Sequence, residues 1–196
     1  MPRPKQRTPE LRDRVLQVAV ATLNEDGLSA FTTRRVAEHA GTSVPAVYEL
    51  FRDKSGLLRE VFFEGFRMLG RQLQAVAETD DAVADVQRLI PVFRRFCLDY
   101  PALARVMFSR PFQDFDPGPE ELAASASVRE TFVGRITRCT EARLLTGDPV
   151  DIAHVLLALA QGLAVQEGGR WLGESKAAVN RRWEVGVTRL LRGFAV

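Results

Sequence analysis

Residues 32–54 read TTRRVAEHAGTSVPAVYELFRDK, and this stretch decides the fold. Thr32 belongs to the residue types that cap helix N-termini through a side-chain oxygen. Gly41 is the type most often found where a helix ends in a left-handed conformation. Ser43 is a second capping residue, and Pro45 follows in the first turn, where its missing N–H costs nothing. The pattern predicts two short helices joined by a tight turn, which is a helix-turn-helix.

The apolar spacing in this stretch assigns a face to each short helix. Val36, Ala37 and Ala40 share one side of the first helix, and Val47 and Phe51 lie one turn apart on the second. The second helix of such a motif enters the major groove of DNA. The sequence therefore predicts that double-stranded DNA is bound by the side of the second helix that faces away from Val47 and Phe51.

The same stretch resembles the DNA-binding signature of the TetR (tetracycline repressor) family. The residues that match the family pattern are Thr32, Arg34, Val36, Ala37, Ala40, Gly41, Ser43, Tyr48, Phe51 and Lys54. Two positions depart from it: Leu50 stands where the family often has His, and Glu49 is less usual. The resemblance implies a homodimeric, ligand-responsive transcriptional repressor that binds a palindromic operator.

On this resemblance we expect a defined set of residues to contact DNA: Thr33, Arg34, Ser43, Val44, Pro45, Ala46, Tyr48 and Lys54. Arginine can bind guanine through two hydrogen bonds, hydroxyl groups bind phosphate, and small apolar groups contact the thymine methyl group. Because the second helix has few hydrogen-bond donors, specificity should depend on Arg34, Thr33, Tyr48 and DNA shape, with Arg35 nearby. The alternative is a three-helix unit with a purely structural role.

The remaining pattern predicts an all-α protein of about nine helices. Three helices form the N-terminal unit, and the others form a larger bundle that dimerises. We place the DNA-binding domain at residues 1–53 and the effector-binding and dimerisation domain at 54–196. Thr8 should cap the first helix and Gly27 should end it. A long helix of roughly 24 residues then runs from Asp53 to about Glu78.

Residues 1–7 are either a basic arm that follows DNA or a solubilising tail.

Later helices are predicted at 83–97, 101–108, 120–145, 151–167 and 175–194.

The net charge of +2 and hydrophobic content of 46% are typical of a soluble globular protein whose DNA contacts come from a local patch. No apolar segment of a signal peptide follows the basic N-terminus. The apolar run Val155–Val165 has about half of the ~20 residues that span a bilayer, which favours a core helix. With only two cysteines, the chain is expected to lie in a reducing cytoplasm.

Aromatic side chains concentrate in the larger domain and form a candidate effector site. Its predicted members are Phe62, Phe66, Leu69, Phe93, Phe96, Met107, Phe108, Phe112 and Phe115. Pro91 should kink its helix and open space beside them. A hydrophobic effector would find Arg94, Arg95, Arg105, Arg110, Gln72 or Gln113 for a polar end. The alternative is that these aromatic residues only form the core.

The last two helices are the predicted dimer interface, because the penultimate one is apolar nearly all round. Ala158, Gly162 and Ala164 would allow close approach, and the family resemblance implies a four-helix bundle. The alternative is a central core helix.

Enzyme readings are weak, since His39 and His154 lack partners at metal-ligand spacing and no phosphate-binding glycine loop follows a strand. No cofactor or metal is expected. Cys97 and Cys139 are predicted to be buried thiols, with a redox switch as the alternative.

The predicted function is a repressor that is released from its operator when a small hydrophobic effector binds. The alternatives are a constitutive or co-repressed DNA-binding protein and a helical enzyme.

Overall fold

The structure, a computed structural model, describes residues 8–108 and 118–196. Within these ranges the chain forms nine α-helices: α1 (Pro9–Ala30), α2 (Thr33–His39), α3 (Val44–Phe51), α4 (Lys54–Gln74), α5 (Ala82–Asp99), α6 (Pro101–Phe108), α7 (Pro119–Glu141), α8 (Pro149–Gly168) and α9 (Lys176–Arg192). A single isolated β-bridge joins Leu145 to Ala195 among the described residues. The predicted all-α fold is confirmed.

Capping residues explain where most of these helices begin. Each of the following accepts a hydrogen bond from an N–H of the first turn: Thr8, Thr32, Ser43, Asp81, Asp148 and Ser175. Proline occupies the first turn of α1, α3 and α8, where no intrahelical partner is lost. These signals are local in sequence, which is why the helix starts could be predicted.

Gly27 interrupts the first helix as predicted, with φ 76° and ψ 172°, and a short helical segment follows it to Ala30. The ends of α4 and α7 differ from the prediction. α4 ends at Gln74, before the predicted Glu78. α7 ends at Glu141 because Arg143 has φ 55° and the Leu144 N–H returns to the Cys139 carbonyl at 2.9 Å.

A buried ionic cluster holds the link between α4 and α5. Asp85 is fully buried and accepts hydrogen bonds from the Thr79 N–H at 2.9 Å, the Thr79 hydroxyl at 2.8 Å and the Arg138 guanidinium at 2.8 Å. Arg88 also pairs with it, and Arg135 donates to the Val76 carbonyl. A carboxylate is tolerated inside a protein when it is paired in this way. The link therefore has a fixed path, which accounts for the early end of α4.

The described residues form two compact units. The first contains residues 8–65 together with 102–108, and the second contains residues 66–101 together with 118–196. The division falls inside α4, so the predicted boundary at residues 53 and 54 lies within the first unit. α6 joins this unit by packing on α4 at Gly65, where a Cβ atom would lie only 2.5 Å from the Met107 sulfur.

α8 is covered on one side only within the second unit. Ile152, Ala153 and Leu156 are fully buried, whereas Val155 and Val165 are 46% and 72% exposed. Among the described helices, α8 alone has the length and composition to cross a membrane, and one such helix is equally typical of a soluble protein's core.

Candidate nucleic-acid interface, effector cluster and dimer surface

α2 is held against α1 by three polar contacts. The Arg14 Nε donates to the Ala40 carbonyl at 3.2 Å, and so satisfies an acceptor at the end of α2. The Thr22 hydroxyl and His39 Nδ1 are 3.3 Å apart. Arg35 and Asp26 form an ion pair at 2.7 Å. α1 therefore fixes the position of the helix-turn-helix, and Arg35 serves this packing in addition to lying near the predicted DNA surface.

The turn between α2 and α3 has the predicted geometry. Gly41 has φ 64°, and the Thr42 N–H donates to the Ala37 carbonyl at 2.9 Å. The Ser43 hydroxyl accepts from the Ala46 N–H at 3.3 Å and begins α3. A residue with a side chain would be strained at Gly41, because positive φ is costly for all but a few residue types.

α3 buries one side and presents the other to solvent. Val47 and Phe51 are 0% and 4% exposed, whereas Tyr48 is 45% exposed. Of the predicted DNA contacts on this helix and its cap, Ser43 and Pro45 are exposed, and Val44 and Ala46 are half-buried. The exposed surface is short of hydrogen-bond donors, since the side chains of Val44, Pro45 and Ala46 have none; the Ser43 hydroxyl accepts as the cap and keeps its own O–H to donate.

On α2 the structure separates the predicted contacts. Thr33 is only 5% exposed, because it lies on the inner side of α2 beside the core of the first unit. Arg34 has an 82% exposed side chain, and its Nε pairs with Glu38 at 2.9 Å, one turn further along the helix. Contact of either residue with DNA stays a prediction, but the exposed Arg34 is better placed for it than Thr33. The Glu38 carboxylate beside Arg34 was not predicted as its partner from the sequence.

The junction of α3 and α4 is a tight turn at Arg52. This residue has φ 68° and ψ −57°, and the Asp53 N–H donates to the Phe51 carbonyl at 2.9 Å, which makes a strained γ-turn. The Asp53 carboxylate caps α4 by accepting from the Gly56 N–H at 2.7 Å. A Cβ atom at Gly56 would lie 2.0 Å from the Phe51 oxygen, so only glycine fits there. The rigid turn sets the position of α4 relative to α3.

Two cations border this turn. Arg52 and Lys54 are exposed, and neither has a partner within the described part of the chain. Arg12 stabilises the same region from α1, because its guanidinium lies 5.3 Å from the centre of the Phe51 ring and pairs with Glu60 at 2.8 Å. Lys54 was predicted from sequence, whereas Arg52 was missed; only its place between Phe51 and the helix cap could have indicated it.

These features define a class of protein. A capped second helix with an exposed outer surface, a fixed turn and unpaired cations at its end are the elements by which a helix-turn-helix domain meets duplex DNA. The first unit is a helix-turn-helix domain of the DNA-binding class.

Comparisons with known proteins agree with this class. A family model for bacterial regulatory proteins of the tetR family matches residues 15–61, and a model for a tetracyclin repressor-like C-terminal domain matches residues 86–190. The class C tetracycline repressor protein of Escherichia coli is 32% identical over 95 residues, which are 48% of this chain and 43% of that protein. This match spans less than half of the curated relative.

Solved structures extend the likeness to nearly the whole chain. A protein with unknown function from Rhodococcus sp. RHA1 superposes with a TM-score of 0.84 and 25% identity, covering 99% of this chain and 100% of that one. The Streptomyces coelicolor TetR family protein ActR, solved in complex with (S)-DNPA, has a TM-score of 0.65 and 20% identity, covering 93% and 95%. The chain belongs to the TetR family of bacterial regulatory proteins.

The predicted effector residues are mostly buried, and they are divided between the two units. Phe62 and Met107 are each 5% exposed in the first unit, which also holds the half-buried Phe108. Three residues of the second unit are fully buried or nearly so: Leu69, Phe93 and Phe96; Phe66 of the same unit is 3% exposed. Phe112, Phe115, Arg110 and Gln113 lie outside the described residues. Burial fits both the core and the effector interpretation, so the effector role stays a prediction.

Among the predicted polar partners, Arg94 forms a largely buried ion pair inside the second unit. Its Nε and terminal nitrogen donate to the Glu167 carboxylate at 2.7 and 2.6 Å. The Trp183 Nε1 donates to the same carboxylate at 2.7 Å. Burial raises the pKa of Glu167, but the hydrogen bonds from Arg94 and Trp183 and the Arg94 charge outweigh it, so the pKa is lowered overall.

The outer side of α8 and α9 is the candidate dimer surface. Val155, Val165 and Val185 are 46%, 72% and 52% exposed, and Gly162 is exposed between the first two. The two helices pack closely through Gly186, where a Cβ atom would lie 3.5 Å from Leu163. Exposed apolar side chains in one stripe mark an interaction surface.

Neither cysteine has the features of a reactive thiol. Cys139 is buried and Cys97 is half-buried. Desolvation raises the pKa of Cys97 to about 12, so the nucleophilic thiolate is scarce at neutral pH. No group of three or more metal-ligating side chains occurs among residues 8–108 and 118–196.

Proposed function

We propose that this protein is a cytoplasmic homodimeric repressor that leaves a palindromic operator when a small, largely hydrophobic effector binds. The observation that carries the proposal is the α2–α3 pair, whose cap, glycine turn and exposed outer side match what a recognition helix requires. Two copies would place their α3 helices about 34–36 Å apart, the separation of successive major grooves.

The DNA contacts proposed for the first unit are Thr33, Arg34, Ser43, Val44, Pro45, Ala46, Tyr48 and Lys54. Phosphate binding by Lys54 and Arg34 would supply most of the affinity, since phosphate contacts dominate protein–DNA binding. Val44, Pro45 and Ala46 would read thymine methyl groups and groove shape.

The test of DNA binding uses single charge removals. Operator fragments from around the protein's own gene are titrated against the wild type and Lys54→Ala by fluorescence anisotropy. Loss of one phosphate contact should weaken binding and reduce the slope of log affinity against log salt by about 0.9. Arg143→Ala, at an exposed site of the second unit, is the matched control. Unchanged binding of Lys54→Ala at physiological salt contradicts the assignment.

Effector release is proposed from the burial of apolar side chains along α4 and α5 and from the ligand that ActR holds in its own structure. α4 begins beside the recognition helix at Lys54 and continues into the second unit at Phe66. A ligand that shifts α4 would alter the spacing of the two recognition helices. By linkage, DNA must weaken effector binding by the same factor.

The second candidate is a constitutive or co-repressed DNA-binding protein. The complete burial of Phe93 and Leu69 favours this second candidate, because fully packed side chains leave no cavity beside them for a ligand. Titrating compounds into the dimer–operator complex separates the two: a compound that releases DNA supports the repressor with an inducer. A compound that only tightens the complex supports co-repression, and a full compound panel without effect supports constitutive binding.

A further inference from the structure

A groove in the second unit lies between α5, the last turn of α8, and α9. Its volume is about 750 Å³, within the range of cavities that hold drug-sized molecules. None of the described residues of the predicted aromatic effector cluster lines it, whereas Arg94 and Arg95, which were predicted for the polar end of an effector, do. The floor is apolar: Ile90, Val179, Trp183 and Val187 are 5%, 8%, 4% and 6% exposed.

The polar groups of the groove floor are already paired with one another. Glu167 receives two hydrogen bonds from Arg94 and one from Trp183, and the Arg94 guanidinium lies 5.3 Å from the centre of the Trp183 ring. Such a closed ion pair presents little net charge to a ligand. The floor would therefore receive the apolar body of a molecule, in contact with the indole of Trp183.

The rim of the groove carries the charge that a ligand would meet. Lys176 is exposed in the first turn of α9 and has no partner within the described part of the chain. Arg95 pairs with Asp99 across one helical turn, with side chains 76% and 43% exposed, and such solvent-accessible pairs are weak. Glu184 is the single acid of the rim. Among the lining residues, with the Arg94–Glu167 pair neutral, two cations stand against one acid; Asp99 offsets Arg95 from outside the lining, so Lys176 is the cation left for a ligand.

We infer that this groove is a second ligand site, which takes an anionic amphipathic small molecule. The apolar body lies over Ile90, Val179 and Val187, and the carboxylate or sulfonate meets Lys176 at the start of α9. The positive end of the α9 dipole adds to the attraction at that point. This site is separate from the aromatic effector cluster, and its existence does not depend on repression or induction.

The test uses Trp183 as the reporter. The chain has two tryptophans, and Trp171 is 81% exposed outside the groove, so Trp171→Phe leaves Trp183 as the only indole without disturbing the core. Decanoate and decylammonium, which share one chain and differ in head-group charge, are titrated below their micelle concentrations. Decanoate should change the Trp183 emission saturably, and decylammonium should bind more weakly.

Two variants in the Trp171→Phe background locate the binding. Asn180→Phe, at an exposed groove position, fills the groove and should abolish the decanoate response. Lys176→Gln removes the rim cation and should weaken decanoate about two- to fivefold, the value of one exposed ion pair. Arg143→Gln, an equal loss of charge outside the groove, should change nothing.

A response that survives Asn180→Phe, equal binding of decylammonium, or no saturable response to decanoate would each overturn the inference. Operator binding is measured separately on the same proteins. Failure of the groove experiment therefore leaves the proposed repressor function standing, and loss of DNA binding leaves the groove result standing.

Discussion

On the exposed side of α2, Arg34 and Glu38 form a pair whose two side chains are 82% and 60% exposed. A pair of this kind contributes little to stability, because solvent and salt screen it. For DNA binding its effect is larger: the Glu38 carboxylate competes with phosphate for the Arg34 guanidinium and adds a negative charge beside the predicted interface.

We therefore predict that Glu38→Gln strengthens operator binding about two- to fivefold at roughly 0.1 M salt, the value of one exposed charge pair. Fluorescence anisotropy with the operator fragment measures the affinity across a salt series, and the gain should shrink as salt rises. Glu141→Gln, an exposed acid at the end of α7, is the control. Equal affinities for the wild type and Glu38→Gln would show that Arg34 does not face DNA.

Glu167 gives the molecule a predictable acid response. Although its burial raises the pKa, the hydrogen bonds from Arg94 and Trp183 lower it below the ordinary value of 4.5. A carboxyl group whose folded pKa is depressed stabilises the protein above its unfolded pKa, and this stabilisation is lost as pH falls through the folded pKa. The stability carried by the Arg94 pair should therefore disappear below about pH 4.5.

The measurement is the thermal midpoint between pH 3 and pH 7 for the wild type and Glu167→Gln. The wild type should lose more stability on acidification than the variant, because the variant has no carboxyl to protonate at this site. Glu10 contributes part of the pH dependence of stability in both proteins, because a backbone hydrogen bond and the Thr8 hydroxyl lower its pKa as well. Parallel curves for the two proteins would contradict this role of Glu167.

Single residues also show what the sequence could and could not predict. The apolar spacing of Val47 and Phe51 is local, so their burial followed from helical periodicity. The Arg14 contact with the Ala40 carbonyl joins positions 26 residues apart, and the Arg94–Glu167 pair joins positions 73 apart. Nothing in the local pattern selects these partners from the other charged residues, because only the packing of helices brings them together.

At the scale of elements, the α3–α4 junction is the connection most dependent on one residue. Gly56 lies where a Cβ atom would be 2.0 Å from the Phe51 oxygen, a backbone atom that cannot move aside without shifting the end of α3. We predict that Gly56→Ala destabilises the protein by about 1–3 kcal/mol, the usual range for forced backbone strain. DNA binding should weaken as well, because the turn that holds Lys54 moves.

Gly134→Ala is the matched control, since this glycine is also helical and a Cβ atom there meets nothing within 4 Å. It should stabilise the protein by roughly 0.5–1 kcal/mol through helix propensity. Urea denaturation of both variants measures the two free energies of unfolding. A stabilised Gly56→Ala protein would show that the junction can open without cost.

The helices as elements were largely predictable, and their ends were not. Starts depend on a capping residue and a first-turn proline within a few positions, as at Asp148 and Pro149. Ends depend on competing partners: α4 stops where the following link is taken up by Asp85 and Arg138, which come from two other helices. A sequence shows the apolar stripe of α4 but not the cluster that interrupts it.

For the whole molecule, the exposed side of α8 is the feature that a single chain does not explain. Apolar side chains at Val155 and Val165 remain in solvent, and Ala158 and Gly162 keep the helix surface flat between them. The sequence showed that α8 is apolar nearly all round, and both a core helix and a dimer helix satisfied that pattern. The structure favours the dimer helix over the core helix, since residues 8–108 and 118–196 leave one side of α8 uncovered and that side fits the proposed second copy.

The comparison of two glycines tests this arrangement. Gly134 and Gly162 are both helical, both exposed, and both have free space for a Cβ atom within the single chain. In a monomer, alanine at either position should therefore be stabilising by helix propensity. If α8 pairs with its counterpart in a second copy, Gly162→Ala places a methyl group between closely packed helices, and overpacking of this kind costs about 1–3 kcal/mol. Sedimentation velocity over a concentration series should then show a dimer weakened about five- to hundredfold for Gly162→Ala. Dimerisation of Gly134→Ala should be unchanged. Equal dimerisation of the two variants would place the interface elsewhere on the molecule.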